Sequence, residues 1–494
     1  MVAKSLIFNS SFGLIASLIM LVISLATKIL LTRILTASEL GLFMMGQTLF
    51  GMAVFLISFG LTDAIVKYVA ADQINAEKIL LKCIELTINS FLLVASVSLL
   101  LIVTFYYLDQ NKDLLIVLLF FLLIAPIKII NDFYGAAYQG LDKLYLKIIY
   151  GDITPAILFL MSVGTIFLIN NRSLWMVIVF YLLSIVLTPY AFFGSIKLKL
   201  LTKKSISILS KDEIIKYASP LFFAGIVAWP MTLVPVFIGF ITSPEQVSFY
   251  NLAISVSSFI YIGTLAAESA GLSVWSKYVS NSEISKLTYD YRLITKWGII
   301  LGSFLFMILL VTPKELVILL FDENFLPLAD LLPIFATVFF INLLTGPSES
   351  ILKANSETVF ILRTRLIAGL ITAIGIYPAL KLWGIYGAIS IYAVSATIGG
   401  VLMYSYRLWS KYRIHPFDWV YLRMLLSLFI ALAVVRIFTQ SYLLSYSPIL
   451  VLLASFFIYL TCLSVLLFIF KVISNDETYL IKTIYSKLVH HKNN

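Results

Sequence analysis

The sequence predicts an all-α polytopic membrane protein of about fourteen transmembrane helices. Three observations carry that prediction. Of 494 residues, 61% are hydrophobic and only 12% are charged, about half the charged share of a soluble domain. Apolar runs of about 20 residues, enough for a helix to cross about 30 Å of hydrocarbon, recur from one end to the other. The lysines and arginines collect in the short connections between those runs, the signature of membrane orientation.

Taken in order, the apolar runs place helices over 9–32, 41–68, 83–108, 113–138, 145–170 and 173–194. The N-terminal run is too long for a secretory leader and lacks a small-residue cleavage site, so it is read as the first span. A polar break follows, "KLKLLTKKSISILSKDEIIK", with six lysines. Further spans fall over 213–240, 246–278, 288–312, 327–352, 359–381 and 385–409, and a last pair near 417–438 and 447–472. With the N-terminus inside, 27 of the 35 basic residues are internal, five are external and three lie within spans. That asymmetry fits the positive-inside rule and puts both termini in the cytoplasm of a multi-pass cell-membrane protein.

The two six-helix sets look related. "RILTASELGLF" (33–43) has a counterpart in "GFITSPEQVSFY" (239–250), and "YGAAYQGLDKLYLKII" (134–149) in "SESILKANSETVFILR" (348–363). The expected organisation is an N-terminal six-helix lobe (1–196), a basic cytoplasmic linker (197–216), a second six-helix lobe (217–412), two additional transmembrane helices (413–473) and a cytoplasmic tail (474–494). Lobes related by a pseudo-two-fold axis along the membrane normal form a transporter architecture with the site between them.

On these residues the chain resembles a known family. "TRILTASELGLF" resembles the first-loop signature of polysaccharide transporters, "FGLTDAIVKYVA" (59–70) the end of their second span, and "IYGAIS" (385–390) the opening of their twelfth. The chain is similar to O-antigen-type flippases of the multidrug/oligosaccharidyl-lipid/polysaccharide exporter superfamily. The resemblance implies alternating-access translocation of a polyprenyl-linked oligosaccharide from the cytoplasmic to the outer leaflet, for cell-surface polysaccharide. Many relatives carry an acid in the seventh span, where this chain reads "VPVFIGF" (234–240).

Ionisable residues inside spans point to the site, since each costs at least about 2.5–3.5 kcal/mol at the bilayer centre. Ser10, Ser17, Ser24 and Lys28 share one helical face of the first span. Lys28 either faces an anionic headgroup in a cavity or snorkels to the outer surface. In the fourth span Lys128, Asn131 and Asp132 share a face with Gly135 and Gln139. Lys128 and Asp132, four apart, either neutralise each other or offer Lys128 to a diphosphate. Lys28, Ser24, Lys128, Asn131 and Asp132 are therefore the candidate substrate-binding residues. Glu268 is the candidate for coupling to a cation, proton or sodium. Pro230 and Pro235 are expected to bend the seventh span and serve gating, because proline removes an intrahelical hydrogen bond.

Other classes fit less well. No GxxxxGK[ST] loop is present, so no ATPase motor is expected. Cys83 and Cys462 sit on apolar runs, and the three histidines lie in a loop and the tail; no metal, cofactor or catalytic residue is expected. The net charge of +10 is spread over loops and does not indicate nucleic acid. A cation-coupled multidrug antiporter and a lipid II flippase of the same superfamily are the nearest alternatives. A membrane glycan polymerase or ligase would want a long external loop, and the chain has none by this span assignment.

Overall fold

The computed structural model describes residues 2–107, 112–170, 172–195, 210–227, 229–443 and 446–473; a few side chains within them, those of Ser10 and Glu268 included, are outside the description. The described chain is helical: α1 (Val2–Ile34), α2 (Ala37–Ser58), α3 (Leu61–Ala71), α4 (Ala76–Tyr107), α5 (Lys112–Gly140), α6 (Leu144–Leu146), α7 (Thr154–Leu168) and α8 (Leu174–Ser195) come first. After the linker, α9 (Lys211–Ile226), α10 (Trp229–Thr232), α11 (Val234–Ile241) and α12 (Pro244–Ser257) follow. Then come α13 (Ile262–Ser280), α14 (Ile284–Val311), α15 (Pro313–Leu320), α16 (Leu328–Leu343), α17 (Ser348–Ala354), α18 (Thr358–Ala396), α19 (Met403–Arg407), α20 (Trp419–Phe438) and α21 (Pro448–Ile469). Two compact units emerge: Met1–Val256 with Phe321–Leu331 and Glu357–Gly400, and Ser257–Leu320 with Leu332–Ser356 and Val401–Asn494.

Eleven helices among the described residues are long and apolar enough to cross a membrane, so the expected fourteen are not met as fourteen separate long helices. The differences have local causes. The sixth expected span, 173–194, is present as one 22-residue helix, α8, although it is not among those eleven. The seventh is cut into α9, α10 and α11, with Pro230 in α10 and Pro235 in the first turn of α11. The eleventh and twelfth run on as one helical stretch, Thr358–Tyr412.

That stretch is a hairpin. Gly384 sits at φ 55, ψ −137, a region open essentially to glycine alone. Beyond it the chain returns along itself. Thr372 Oγ1 and Ser395 Oγ are hydrogen-bonded at 2.8 Å. A Cβ on Gly399 would meet Ala368, one on Gly375 would meet Ile391, and one on Gly387 would meet the Ala379 carbonyl. As one partner advances, the other retreats by nearly the same number of residues, the register of two antiparallel helices.

Side chains start the helices where the sequence changes character. In "LTASEL", Thr36 Oγ1 accepts from Glu39 N at 3.3 Å, and Thr36 N donates to the Glu39 carboxylate at 2.9 Å. This reciprocal cap satisfies two of the otherwise orphaned donors and opens α2. The same device, Ser210 with Glu213, ends the linker and opens α9. Phe59, left-handed at φ 47, closes α2. Gly60 at φ 72 follows, with its missing Cβ only 2.6 Å from the Ala218 carbonyl oxygen. Hydroxyls inside the spans return to their own helix: Thr27 donates to Ile23 O at 2.8 Å and Ser255 to Asn251 O at 2.6 Å. A dry helix thereby tolerates them.

Replacing Gly384 by alanine should destabilise the protein by about 1–3 kcal/mol. No atom lies within 4 Å of the added Cβ, so the cost is conformational. Gly51→Ala, inside α2 and equally unobstructed, should not destabilise. Thermal unfolding in detergent compares the two, with a lower melting temperature expected for the first alone.

Candidate functional site

The first unit encloses a cavity of about 390 Å³ between α1, α2, α5, the start of α7 and α8; Ser24, Lys28, Gln47, Lys128, Asn131 and Tyr181 are among its walls. Four of the five predicted binding residues therefore meet in one place. The fifth, Asp132, reaches the site through Lys128. Of the serine stripe, Ser24 and Lys28 line the cavity, Ser17 is exposed on the same helix, and the Ser10 side chain is outside the described residues.

Lys28 does not snorkel away: its ammonium donates a hydrogen bond to Ser255 Oγ on α12. The Ser255 hydroxyl proton is committed to Asn251 O, so toward Lys28 the serine oxygen acts as acceptor. Its partner is neutral. Lys28 thus brings an uncompensated positive charge to the cavity wall, since no carboxylate among the described residues pairs with it.

Lys128 behaves differently. Its Nζ lies 2.5 Å from Asp132 Oδ1, and both side chains are about one-third exposed (34% each). The spacing of four puts the two groups on one face of α5, as the sequence indicates. The next charges along α5 and the turn after it lie close together. Lys147 donates to Gln139 Oε1 at 2.6 Å, and Asp152, on the π-helical turn Lys147–Ile153, is close enough to interact with Lys147 and Lys128.

Asn131 is buried, only 4% exposed. Its Nδ2 donates to the Ile185 carbonyl at 3.0 Å, which fixes the amide plane. Its Oδ1 is buried with no partner among the described residues. An unmet buried acceptor costs about 1–3 kcal/mol, so the cavity wall holds a waiting place for an O–H or N–H donor. Beside it, Tyr181 hydrogen-bonds Gln47 and stacks edge-on against Phe43, Phe121 and Phe159 at 5.0–5.6 Å between ring centres. Aromatic faces of this kind accommodate the C–H faces of sugars as well as apolar chains.

Gln47, Tyr181 and Ser255 escape the sequence reading. Gln47 carries a usable signal, an amide inside an apolar span. Tyr181 and Ser255 carry none, since tyrosine and serine are ordinary in such helices.

The broken segment α9–α11 packs on the same unit. Phe55 stacks on Phe222 (5.6 Å) and meets Trp229 edge-on (5.8 Å), and Phe59 lies 4.5 Å from Phe222. Lys67 Nζ sits 3.7 Å from the centre of the Tyr217 ring. Tyr68 OH donates to Glu213 O at 3.2 Å, and Lys211 pairs with Glu85 at 2.6 Å. On the other side of the break, a Cβ on Gly41 would collide with the Pro244 carbonyl. The two segments that the sequence pairs as a repeat, 33–43 and 239–250, thus touch directly. Glu268 lies on α13 in the second unit, and its side chain is outside the described residues.

Residues 3–270, more than half of the chain, match the family model described as "Polysaccharide biosynthesis protein". The chain belongs to that family. No curated protein matches the sequence. Among solved structures, the chain is similar to a lipid II flippase MurJ in an inward closed conformation, with TM-score 0.70 and 15% identity over 92% of this chain and 98% of that one. It is also similar to an inward-facing multidrug resistance MATE family transporter of the MOP superfamily (TM-score 0.58, 14% identity, 80% of this chain and 94% of that one). A third is a MOP superfamily transporter from Pyrococcus furiosus, described as having a binding pocket of reverse polarity (TM-score 0.55, 14% identity, 83% and 95%). At these identities the likeness shows the fold. That fold is the one the first-loop residues suggest.

Removing one member of the Lys128–Asp132 pair should cost more than removing both, because a lone charge is left in the wall. Asp132→Ala should lose about 1–3 kcal/mol, between the limits for exposed and buried pairs. The double variant Lys128→Ala/Asp132→Ala should recover part of that loss. Chemical or thermal unfolding of the purified protein measures the order.

Proposed function

We propose that this protein is a secondary flippase for a polyprenyl-linked oligosaccharide, moved from the cytoplasmic to the outer leaflet by alternating access between two six-helix lobes. The observation that carries the reading is the pairing of Lys28 with a neutral serine beside the unmet Asn131 acceptor, in one cavity. A cation without a countercharge suits the phosphates of a lipid-linked sugar, and a buried acceptor suits a sugar hydroxyl. The family and the flippase and transporter folds around it support a transport role rather than an enzymatic one.

The lysine distribution supports a cell-membrane protein with both termini in the cytoplasm. A multidrug antiporter for organic cations is disfavoured by the sign of the cavity, since such a ligand would meet Lys28 instead of a carboxylate. Lipid II remains within the chemical class, being itself a lipid-linked sugar diphosphate. A cation, proton or sodium, is the proposed energy source, with Glu268 as its site. The α9–α11 segment is the proposed moving part, because the breaks at Pro230 and Pro235 leave it without a continuous hydrogen-bond ladder.

Two outcomes test the reading in vesicles loaded with lipid-linked oligosaccharide. Lys28→Ala should slow flipping about tenfold, the worth of one charge-assisted hydrogen bond, without loss of protein from the membrane. Normal flipping by that variant would remove the cavity lysine from the mechanism. Pro230→Ala/Pro235→Ala should mend the helix and reduce turnover, with substrate binding retained. Unchanged transport would sink the gating role.

A further inference from the structure

We propose that the second unit holds a binding site for a neutral glycerolipid with free hydroxyls, of which a monoacylglycerol is the simplest form. The site is a cavity of about 520 Å³, a size that takes a whole small ligand. It lies among the first part of α14, the chain just after α16, α19 and the connection leading into α20. Nothing in the flippase reading uses it, and the proposal stands independently of that reading.

Two atoms of residues in its wall lack a partner. Ser405 Oγ and His415 Nδ1 are buried and have none among the described residues, a costly state for a buried polar group. Serines in the helices before and after α19 return their hydroxyl proton to their own backbone, Ser390 to Tyr386 O and Ser427 to Arg423 O, both at 2.8 Å. Ser405 does not. It stands on α19, little more than one turn set between two π-helical turns, Thr397–Leu402 and Leu408–Tyr412, a distortion frequent at functional sites. His415 is fixed in place: its carbonyl accepts from Arg292 Nε at 3.3 Å, and its ring lies nearly parallel to that of Phe417, 6.4 Å between centres. Tyr291 and Thr345, also in the wall, are already engaged. Tyr291 OH donates to Thr345 O at 2.7 Å, and Thr345 Oγ1 to Asn342 O at 3.1 Å.

These two atoms and their surroundings define the ligand. A serine hydroxyl donates and accepts, and an imidazole nitrogen does one or the other according to its tautomer. Alcohol groups answer both atoms in either tautomer, whereas an ester carbonyl only accepts. A charged headgroup is disfavoured, because the wall has no Lys, Arg, Asp or Glu among the described residues and a buried charge needs a countercharge. Water would meet the two polar atoms but not the apolar remainder of the wall, Val401, Leu402, Ile414 and Phe417 among it. Leu402, Tyr406 and Trp409, four and three apart and so on one helical face, line the cavity and are also exposed outside it. They carry the apolar wall outward and give an acyl chain a surface to lie on. Exposed rings such as Tyr406 and Trp409 at the end of a span sit at the level of lipid headgroups, where the glycerol of a lipid also lies.

The test uses the full-length protein, delipidated in detergent and offered 1-oleoylglycerol, methyl oleate or oleate, with bound ligand measured by native mass spectrometry. Wild type should retain 1-oleoylglycerol about fivefold better than methyl oleate, which has the same chain and no hydroxyl, and better than oleate. Ser405→Ala and His415→Phe should each weaken retention of 1-oleoylglycerol about fivefold, the worth of one hydrogen bond, with methyl oleate unaffected. The Ser405 oxygen has no partner to lose among the described residues, so Ser405→Ala is expected to melt no lower than wild type and keeps the test decisive if His415→Phe does not fold. Equal retention of the glyceride and the methyl ester by wild type would overturn the proposal, as would undiminished retention by Ser405→Ala. Preferential retention of oleate would overturn it in favour of an anion. Displacement of 1-oleoylglycerol by millimolar glycerol would also overturn it, by assigning the site to a free polyol.

Discussion

The hydrogen bond from Lys28 to Ser255 is the constraint around which the first unit is arranged. A lysine inside a span costs at least about 2.5–3.5 kcal/mol, and a hydrogen bond to a charged group returns about 1.5–3 kcal/mol. The two are of one size, so the bond offsets most of the cost of holding the ammonium there while leaving its charge unneutralised. It ties α1 to α12, which requires α12 to lie close to the cavity that α1 lines. The close approach of Gly41 to the Pro244 carbonyl, at the start of α12, meets that requirement. Any larger residue at 41 would push the two helices apart and lengthen the bond on which Lys28 depends.

A second consequence concerns what can move. The α9–α11 segment is anchored at its first half by side chains: the Phe55–Phe222–Trp229 rings, Lys67 over Tyr217, and Lys211 on Glu85. At its second half it is anchored by close packing, with Gly239 against Met45 and α11 against the Gly384 hairpin. Between the two anchors Pro230 and Pro235 withhold their backbone donors. The exposed pairs at the first half are worth little each, but its backbone is closely packed as well, with Ala218 against Gly60 and Gly225 against Phe55. Both halves are thus held, and the prolines lie between them.

Much of this is legible in the sequence. Hydropathy and the lysine distribution delimit the spans, because the bilayer imposes both rules locally. Lys128 and Asp132 could be paired from a spacing of four, since α5 is regular there. The cap at Thr36 and Glu39 is likewise a local pattern, and it shows that the signature "LTASELG" is first a helix start. The hairpin is half legible: the break in hydropathy between 381 and 385 brackets Gly384, yet the chain is helical right up to that one non-helical residue on both sides, so length alone joins the two spans. What was hidden depends on contacts distant in sequence. Ser255 stands 227 positions from Lys28, and the orphaned Asn131 oxygen exists only because Ile185 takes the other end of the amide. No local pattern encodes either.

The two lysines also divide the electrostatic work. Lys128 is neutralised within its own helix turn by Asp132, which lets α5 enter the bilayer without a net charge. On the flippase reading, a substrate phosphate arriving at Lys128 must compete with that carboxylate, and the gain from the new contact is reduced by the old one. Lys28 has no such competitor among the described residues and loses only a neutral acceptor. An anion is therefore drawn first toward Lys28, and Lys128 adds to binding only when the phosphate lies near enough to share it with Asp132. This keeps the total affinity modest. A carrier that must release its cargo on the far side needs that moderation, because every kcal/mol of ground-state binding must be given back at release.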